Sequence, residues 1–217
     1  MSTPAPARTR LYLVRHCDVQ NPDGVLYGHL PSFGLSAKGL VQAHALAGFF
    51  ATSSVRRIIT SPLQRARQTA EIIDAALHDV PVETSDDLIE AKFGLYLQGV
   101  RARDVPWKRP LWWVHMAWPG VLPMDERVSD MAERVRRQLR RLLREHPHEG
   151  GICVSHGDPI QAFWLQADGR PVYALHRLQC AKGGMLVLDY VDENLDRLEY
   201  WPPERVAGAT RETAANR

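Results

Sequence analysis

The sequence predicts an α/β chain, a three-layer α/β/α sandwich with a mostly parallel central sheet and an inserted lid segment. Two observations lead there. Short apolar runs alternate with helical periodicity, as βαβ units require. Two of those runs also end in polar turns that carry a histidine, and the carboxyl ends of strands are where open α/β sheets bind ligands.

Leu11 to Val14 reads as a buried strand, followed by a polar loop through Asp23 and Gly24. Ser36 offers an N-cap to Ala37 through Phe50, where Leu40, Ala43, Ala47 and Phe50 recur at helical spacing. Arg57 to Thr60 is a second strand. Ser61-Pro62 then starts a helix with Leu63, Ala66, Ala70, Ile73 and Leu77 on one face. Val80 to Glu83 is a third short strand.

From Asp86 to Asp125 periodicity fails, and this stretch holds Trp107, Trp112, Trp113 and Trp118, four of the six tryptophans. It reads as the lid. Val128, Met131, Val135, Leu139 and Leu142 mark the next helix, whose other face carries Arg136, Arg137, Arg140, Arg141 and Arg144. A solvated face is expected there in preference to an anion-steering patch. Ile152 to Ser155 is a strand ending in His156-Gly157-Asp158-Pro159, which opens a helix through Gln166. Met185–Val191 and Leu198–Trp201 form a terminal hairpin, and the polar, Ala-rich residues 203–217 are expected to be a mobile tail.

With 217 residues, 45% of them hydrophobic, residues 1–217 are expected to bury one core as a single domain. A formal charge of +2 gives no global attraction to nucleic acid or an anionic membrane. Cys17, Cys153 and Cys180 are odd in number and widely spaced, which argues against a disulfide framework or zinc ribbon and for a reducing cytoplasm. Met1 to Arg10 is rich in Pro, Ala and Thr, and the apolar run after it is too short for a signal peptide. Leu111 to Met124 is too short to span a bilayer. A soluble cytoplasmic protein without cofactor or metal is expected, and a homodimer stays open.

Leu13-Val14-Arg15-His16, Ser61 through Ala70, Leu88-Ile89-Glu90-Ala91-Lys92-Phe93-Gly94 and Val154-Ser155-His156-Gly157-Asp158-Pro159 follow one another in that order. Together they resemble the histidine phosphatase superfamily, the phosphoglycerate mutase-like proteins. The resemblance implies a nucleophile at His16, phosphate-binding arginines at Arg15 and Arg65, a second histidine at His156 and a proton donor at Glu90. The expected partner is a small-molecule phosphate ester.

The chemistry is consistent with that set. A phosphomonoester dianion needs fixed cations, and Arg15 and Arg65 never deprotonate. His156, protonated beside a phosphate, and the backbone around Gly157 add donors. Neutral His16 can form a phosphohistidine, and Glu90 can protonate the leaving alkoxide and later deprotonate water.

Departures from the family pattern carry their own expectations. Cys17 stands where glycine is usual, which places a thiol near the phosphate with its pKa lowered by Arg15 and Arg65. Val19 removes a hydroxyl, and Asn21 is the candidate replacement donor. The expected activity is a phosphatase, with a phosphoglycerate-type mutase disfavoured because Ala91 stands where the mutases have an arginine after the acid and no Arg-Arg-Ser-Tyr segment is present. A non-catalytic phospho-ligand binding protein is a second rival. A third, a metal site built from His16-x-Asp18 and His156-x-Asp158, does not meet a standard zinc spacing, and the neighbouring arginines would repel a cation. The lid tryptophans, with Tyr96 and His115, point either to a partly apolar leaving group or to packing within the lid.

Overall fold

A computed structural model describes residues 8–77 and 80–215. The first seven residues, within the segment read as lacking a signal peptide, lie outside the described residues, as do the last two of the expected tail.

In chain order the elements are β1 (Arg8–Arg15), α1 (Ala37–Phe50), β2 (Val55–Thr60), α2 (Gln64–Leu77) and β3 (Val82–Thr84). The inserted segment contributes α3 (Phe93–Leu97), α4 (Val105–Lys108) and α5 (Leu111–Ala117). Then come α6 (Val128–Glu145), β4 (Gly150–Ser155), α7 (Gly157–Ala167), β5 (Met185–Val191), β6 (Asn194–Trp201) and α8 (Pro203–Ala215).

The sheet order is β3-β2-β4-β1-β5-β6. The first four strands run parallel, and the β5–β6 hairpin adds an antiparallel edge. β4, late in the sequence, slots between β1 and β2. That arrangement brings the carboxyl ends of β2, β4 and β1 side by side.

Period-two alternation splits β1 between two cores. Tyr12 and Val14 join Ala43, Leu46 and Phe50 of α1, Ala66, Ala70 and Ile73 of α2, and Val206 of α8. Leu11 and Leu13 join Val135, Leu139 and Leu142 of α6 and Ile160 and Phe163 of α7. Helices therefore cover both faces, and the three-layer sandwich is the observed fold. Each fully buried Leu or Ile of these layers contributes about 1.5–3 kcal/mol.

Two expectations need correction. The polar residues after Pro202 form α8, docked on α1 by buried Val206 and by Thr210, whose hydroxyl donates to the Ala45 carbonyl at 2.9 Å. One apolar anchor and one polar clasp were too little signal against an Ala-rich background. The inserted segment is also more ordered than its lack of periodicity implied. Its helices, of five, four and seven residues, are too short to show a repeat.

The insertion is pinned from both sides. Arg134 of α6, nearly buried, donates to both carboxylate oxygens of Glu126 at 2.8 and 3.2 Å and to the Asp87 carbonyl at 2.7 Å. His115 bonds Asp125 at 2.5 Å and stacks on Phe93 with centroids 3.8 Å apart. His115 thus belongs to the insertion's own packing, while Trp107, Trp113 and Trp118 are exposed. Among the described residues, no helix is long and apolar enough to cross a membrane.

Candidate active site

The site grows from three adjacent strand ends. β1 delivers Arg15 and His16, β4 delivers His156, and β2 leads through Ser61 into α2, whose first turn carries Arg65. The His16 N–H donates to the Ser155 carbonyl at 2.9 Å, continuing the parallel β1–β4 ladder by one residue. That register places the two histidine rings 5.1 Å apart.

His16 is 1% exposed. Its Nδ1 lies 2.7 Å from the Cys17 carbonyl, and because a carbonyl only accepts, Nδ1 carries the proton. Nε2 is left with its lone pair, 3.3 Å from the Arg65 Nε–H that donates to it. Burial first, then the Arg65 and Arg15 charges, hold the His16 pKa well below its ordinary value. The ring is therefore a neutral imidazole with a fixed tautomer, its Nε2 lone pair facing the site.

Arg65 is equally buried. It also donates from Nη2 to the Gly28 carbonyl at 2.8 Å, and its guanidinium sits 4.7 Å over the Tyr27 ring. Arg15 donates to the Cys180 carbonyl at 2.7 Å, and its buried Nε has no hydrogen-bond partner. Gly157 leaves the room it needs: a Cβ at 157 would lie 3.1 Å from the Arg15 Cζ. The first-turn N–H groups of α7, beginning at Gly157, have no intrahelical acceptor.

His156 is fully buried at the N-cap of α7, with Nε2 2.7 Å from Ser61 Oγ. Its Nδ1 has no hydrogen-bond partner and lies 3.9 Å from Glu90 Oε2. A carboxylate oxygen at that distance favours the proton on Nδ1, so the Ser61 O–H donates to Nε2. Burial, then the charge on Arg65, lower the His156 pKa well below its ordinary value. Glu90 uses Oε1 to accept from the Ala91 N–H at 3.0 Å, which leaves Oε2 as its uncommitted oxygen.

The structure thus brings Arg15, His16, Arg65, Glu90, His156 and Gly157 together. Asn21 is the exception. Its Nδ2 donates to the Val25 carbonyl at 2.8 Å and its Oδ1 accepts from the Val25 N–H at 3.1 Å, so the expected phosphate donor is a clasp within its own loop.

Cys17 is a second correction. Its side chain packs in the core with Ala43, Ala66 and Ala70, and burial pushes the thiol pKa up to about 12. The expected lowering fails because consecutive residues at a strand end point oppositely: His16 enters the site and Cys17 the core. Asp18, a ligand in the metal reading, is held by Lys182 at 2.8 Å and Ser36 at 2.7 Å.

Sequence reasoning gave Asp158 a part only as a ligand in the metal reading and missed its electrostatic coupling to Glu90. Asp158 is half-buried in the first turn of α7, and burial, then the Glu90 charge, raise its pKa to about 7. Its only signal was its place two residues after His156. Ser61 was given no role beyond starting its helix, Tyr27 stood only in the stretch Gly24-Val25-Leu26-Tyr27-Gly28 that resembles the family's loop, and His29 was given no role.

Comparison with known proteins agrees with this geometry. The model of the histidine phosphatase superfamily (branch 1) matches residues 11–201. An uncharacterised Mycobacterium tuberculosis protein, Rv0525, is 36% identical over 200 residues, covering 91% of this chain and 98% of that one. A probable phosphoglycerate mutase, GpmB of Proteus mirabilis, is 29% identical over 186 residues, covering 83% and 85%. The crystal structure of a putative α-ribazole-5′-P phosphatase from Escherichia coli superposes with a TM-score of 0.72 at 26% identity, over 89% of this chain and 96% of that one. Motifs, strand order and family match converge, and the chain belongs to the histidine phosphatase superfamily.

Proposed function

We propose that the protein is a metal-independent phosphatase that hydrolyses a small phosphomonoester through a phosphohistidine on His16. One observation carries this reading: a buried neutral imidazole, its Nε2 lone pair set by the Cys17 carbonyl, lies among two arginines and the unpartnered nitrogens of Arg15 and His156. Such a pocket favours a dianion and a developing trigonal phosphoryl group.

In the first step Nε2 attacks phosphorus as the ester oxygen departs. Arg15 and Arg65 hold the equatorial oxygens, with the His156 Nδ1–H as a further donor. When the substrate dianion replaces Glu90 as the group that faces the His156 Nδ1–H, Oε2 takes up a proton from solvent and gives it to the leaving oxygen. In the second step Glu90 takes a proton from water as that water attacks the phosphohistidine. Phosphate and free His16 result. The three buried free thiols fit a reducing cytoplasm.

A mutase reading draws on the likeness to GpmB. The two separate in one assay series. Hydrolysis of a panel of phosphate monoesters, unaffected by chelator and lost in His16→Ala, supports the phosphatase. Interconversion of phosphoglycerates that requires 2,3-bisphosphoglycerate, without net hydrolysis, replaces it with the mutase.

A further inference from the structure

We infer that His29 is the positioning residue for Glu90, holding the peptide that aims the acid. This rests on the proposed role of Glu90 and adds the means by which its carboxyl is fixed.

Glu90 lies in a loop between two short helical turns, where a side chain ordinarily samples several rotamers. Its peptide link to Ala91 has two ends, and both are held. The Glu90 carbonyl accepts from His29 Nε2 at 2.9 Å, and at the other end the Ala91 N–H donates to Glu90 Oε1 at 3.0 Å. Because the peptide is planar, fixing its oxygen fixes the direction of its N–H. His29 Nε2 also reaches the Ala91 carbonyl at 3.3 Å, so one N–H orients two consecutive peptide planes. Carbonyls accept only, so this ring nitrogen must carry a proton. With Oε1 occupied, Oε2 is the oxygen left toward His156.

The loop that carries His29 is itself immobilised against the insertion. The Leu26 N–H donates to the Val100 carbonyl and the Gly99 N–H returns to Leu26, each at 2.8 Å. The Ala102 N–H reaches the Gly24 carbonyl at 2.9 Å. The His29 N–H adds a contact to Gln98 Oε1 at 3.3 Å. Gly28, at φ +42°, permits the approach, since a Cβ there would fall 2.4 Å from the Gly94 carbonyl oxygen. The same residue's carbonyl receives Arg65, and Tyr27 stacks on it. Tyr27-Gly28-His29 is therefore a strap that sets the phosphate-binding arginine at one end and the acid at the other.

The test compares leaving groups across wild type, Glu90→Gln, His29→Ala and His29→Gln. For each, kcat/KM is measured on phosphate esters from activated aryl to alkyl. His29→Ala should lose roughly tenfold to a hundredfold on alkyl esters, the scale of a catalytic group displaced by about an ångström, and much less on activated aryl esters. Its dependence on leaving-group pKa should steepen toward that of Glu90→Gln. His29→Gln, whose side-chain amide can donate to the same carbonyls, should recover most of the loss.

Amide hydrogen exchange gives a readout independent of activity. The Ala91 and Gly94 amides should exchange faster in His29→Ala, with α6 unchanged as the folding control. Unaltered exchange at both amides, or an equal loss on every ester, overturns the assignment. Absence of leaving-group selectivity in Glu90→Gln instead overturns the proposed acid, and the exchange result still decides whether His29 holds the loop.

Discussion

The molecule holds two sets of arginines in opposite circumstances. Along α6, Arg136 meets Glu133 at 2.6 Å, Arg137 meets Asp87 at 2.5 Å and Arg141 meets Glu83 at 2.7 Å; these form a solvated face whose charge is cancelled by carboxylates. Arg15 and Arg65 are held by the carbonyls of Cys180 and Gly28, by an imidazole nitrogen and by an aromatic face. Dipoles orient a guanidinium without neutralising it. On the proposed function that difference matters: the site arginines would keep their charge for an anion, while the helix arginines are engaged in surface ion pairs.

The contrast breaks most sharply at Arg65. Arg65→Ala should lower kcat/KM by roughly 10²–10³-fold, as expected when a preorganised donor to the transition state is lost. Arg65→Lys should recover little, because one ammonium cannot reach His16 Nε2 and the Gly28 carbonyl in the same fork. Steady-state kinetics on one good ester decide this, and near-complete rescue by lysine would reduce the arginine to a point charge.

Burial, and after it the same uncancelled charge, shapes pH dependence. His16 and His156 have folded pKa values below the ordinary 6.5, so the unfolded chain binds more protons below that pH. Their contribution to stability is present above about pH 6.5 and drains as pH falls beneath it. Asp158 works in the other direction. Its pKa rises from 3.8 to about 7, so the folded state binds the extra proton and stability is lost as pH climbs through that window. Asp158→Asn should therefore raise Tm relative to wild type more at pH 8 than at pH 5. An equal shift at both would place Asp158 outside the electrostatic network.

Why some of this was legible and some not follows from particular residues. The strands and long helices announce themselves because their apolar positions recur over several turns. Arg15, His16, Arg65 and His156 sit in motifs at strand ends and a helix start, so pattern and chemistry pointed the same way. Asn21 and Cys17 misled because sequence gives proximity to His16 but not side-chain direction. The Asn21 amide turned to Val25, and the Cys17 thiol turned into the core. The roles of His29 and Ser61 depend on contacts 61 and 95 residues away, which no local pattern carries.

The smallest effect belongs to the surface set. Arg137→Gln or Arg141→Gln should change stability by about 0–1 kcal/mol, with the change shrinking as salt is added. Activity should stay at the wild-type level. A large, salt-sensitive fall in kcat/KM would instead show that α6 steers substrate.

The phosphohistidine itself can be observed directly. Rapid denaturation during turnover of a ³²P-labelled ester, followed by peptide mapping, should place acid-labile, base-stable label on the peptide containing His16. His16→Ala should show neither label nor turnover. Label confined to another peptide, or full turnover in His16→Ala, would contradict the assignment of His16 as nucleophile.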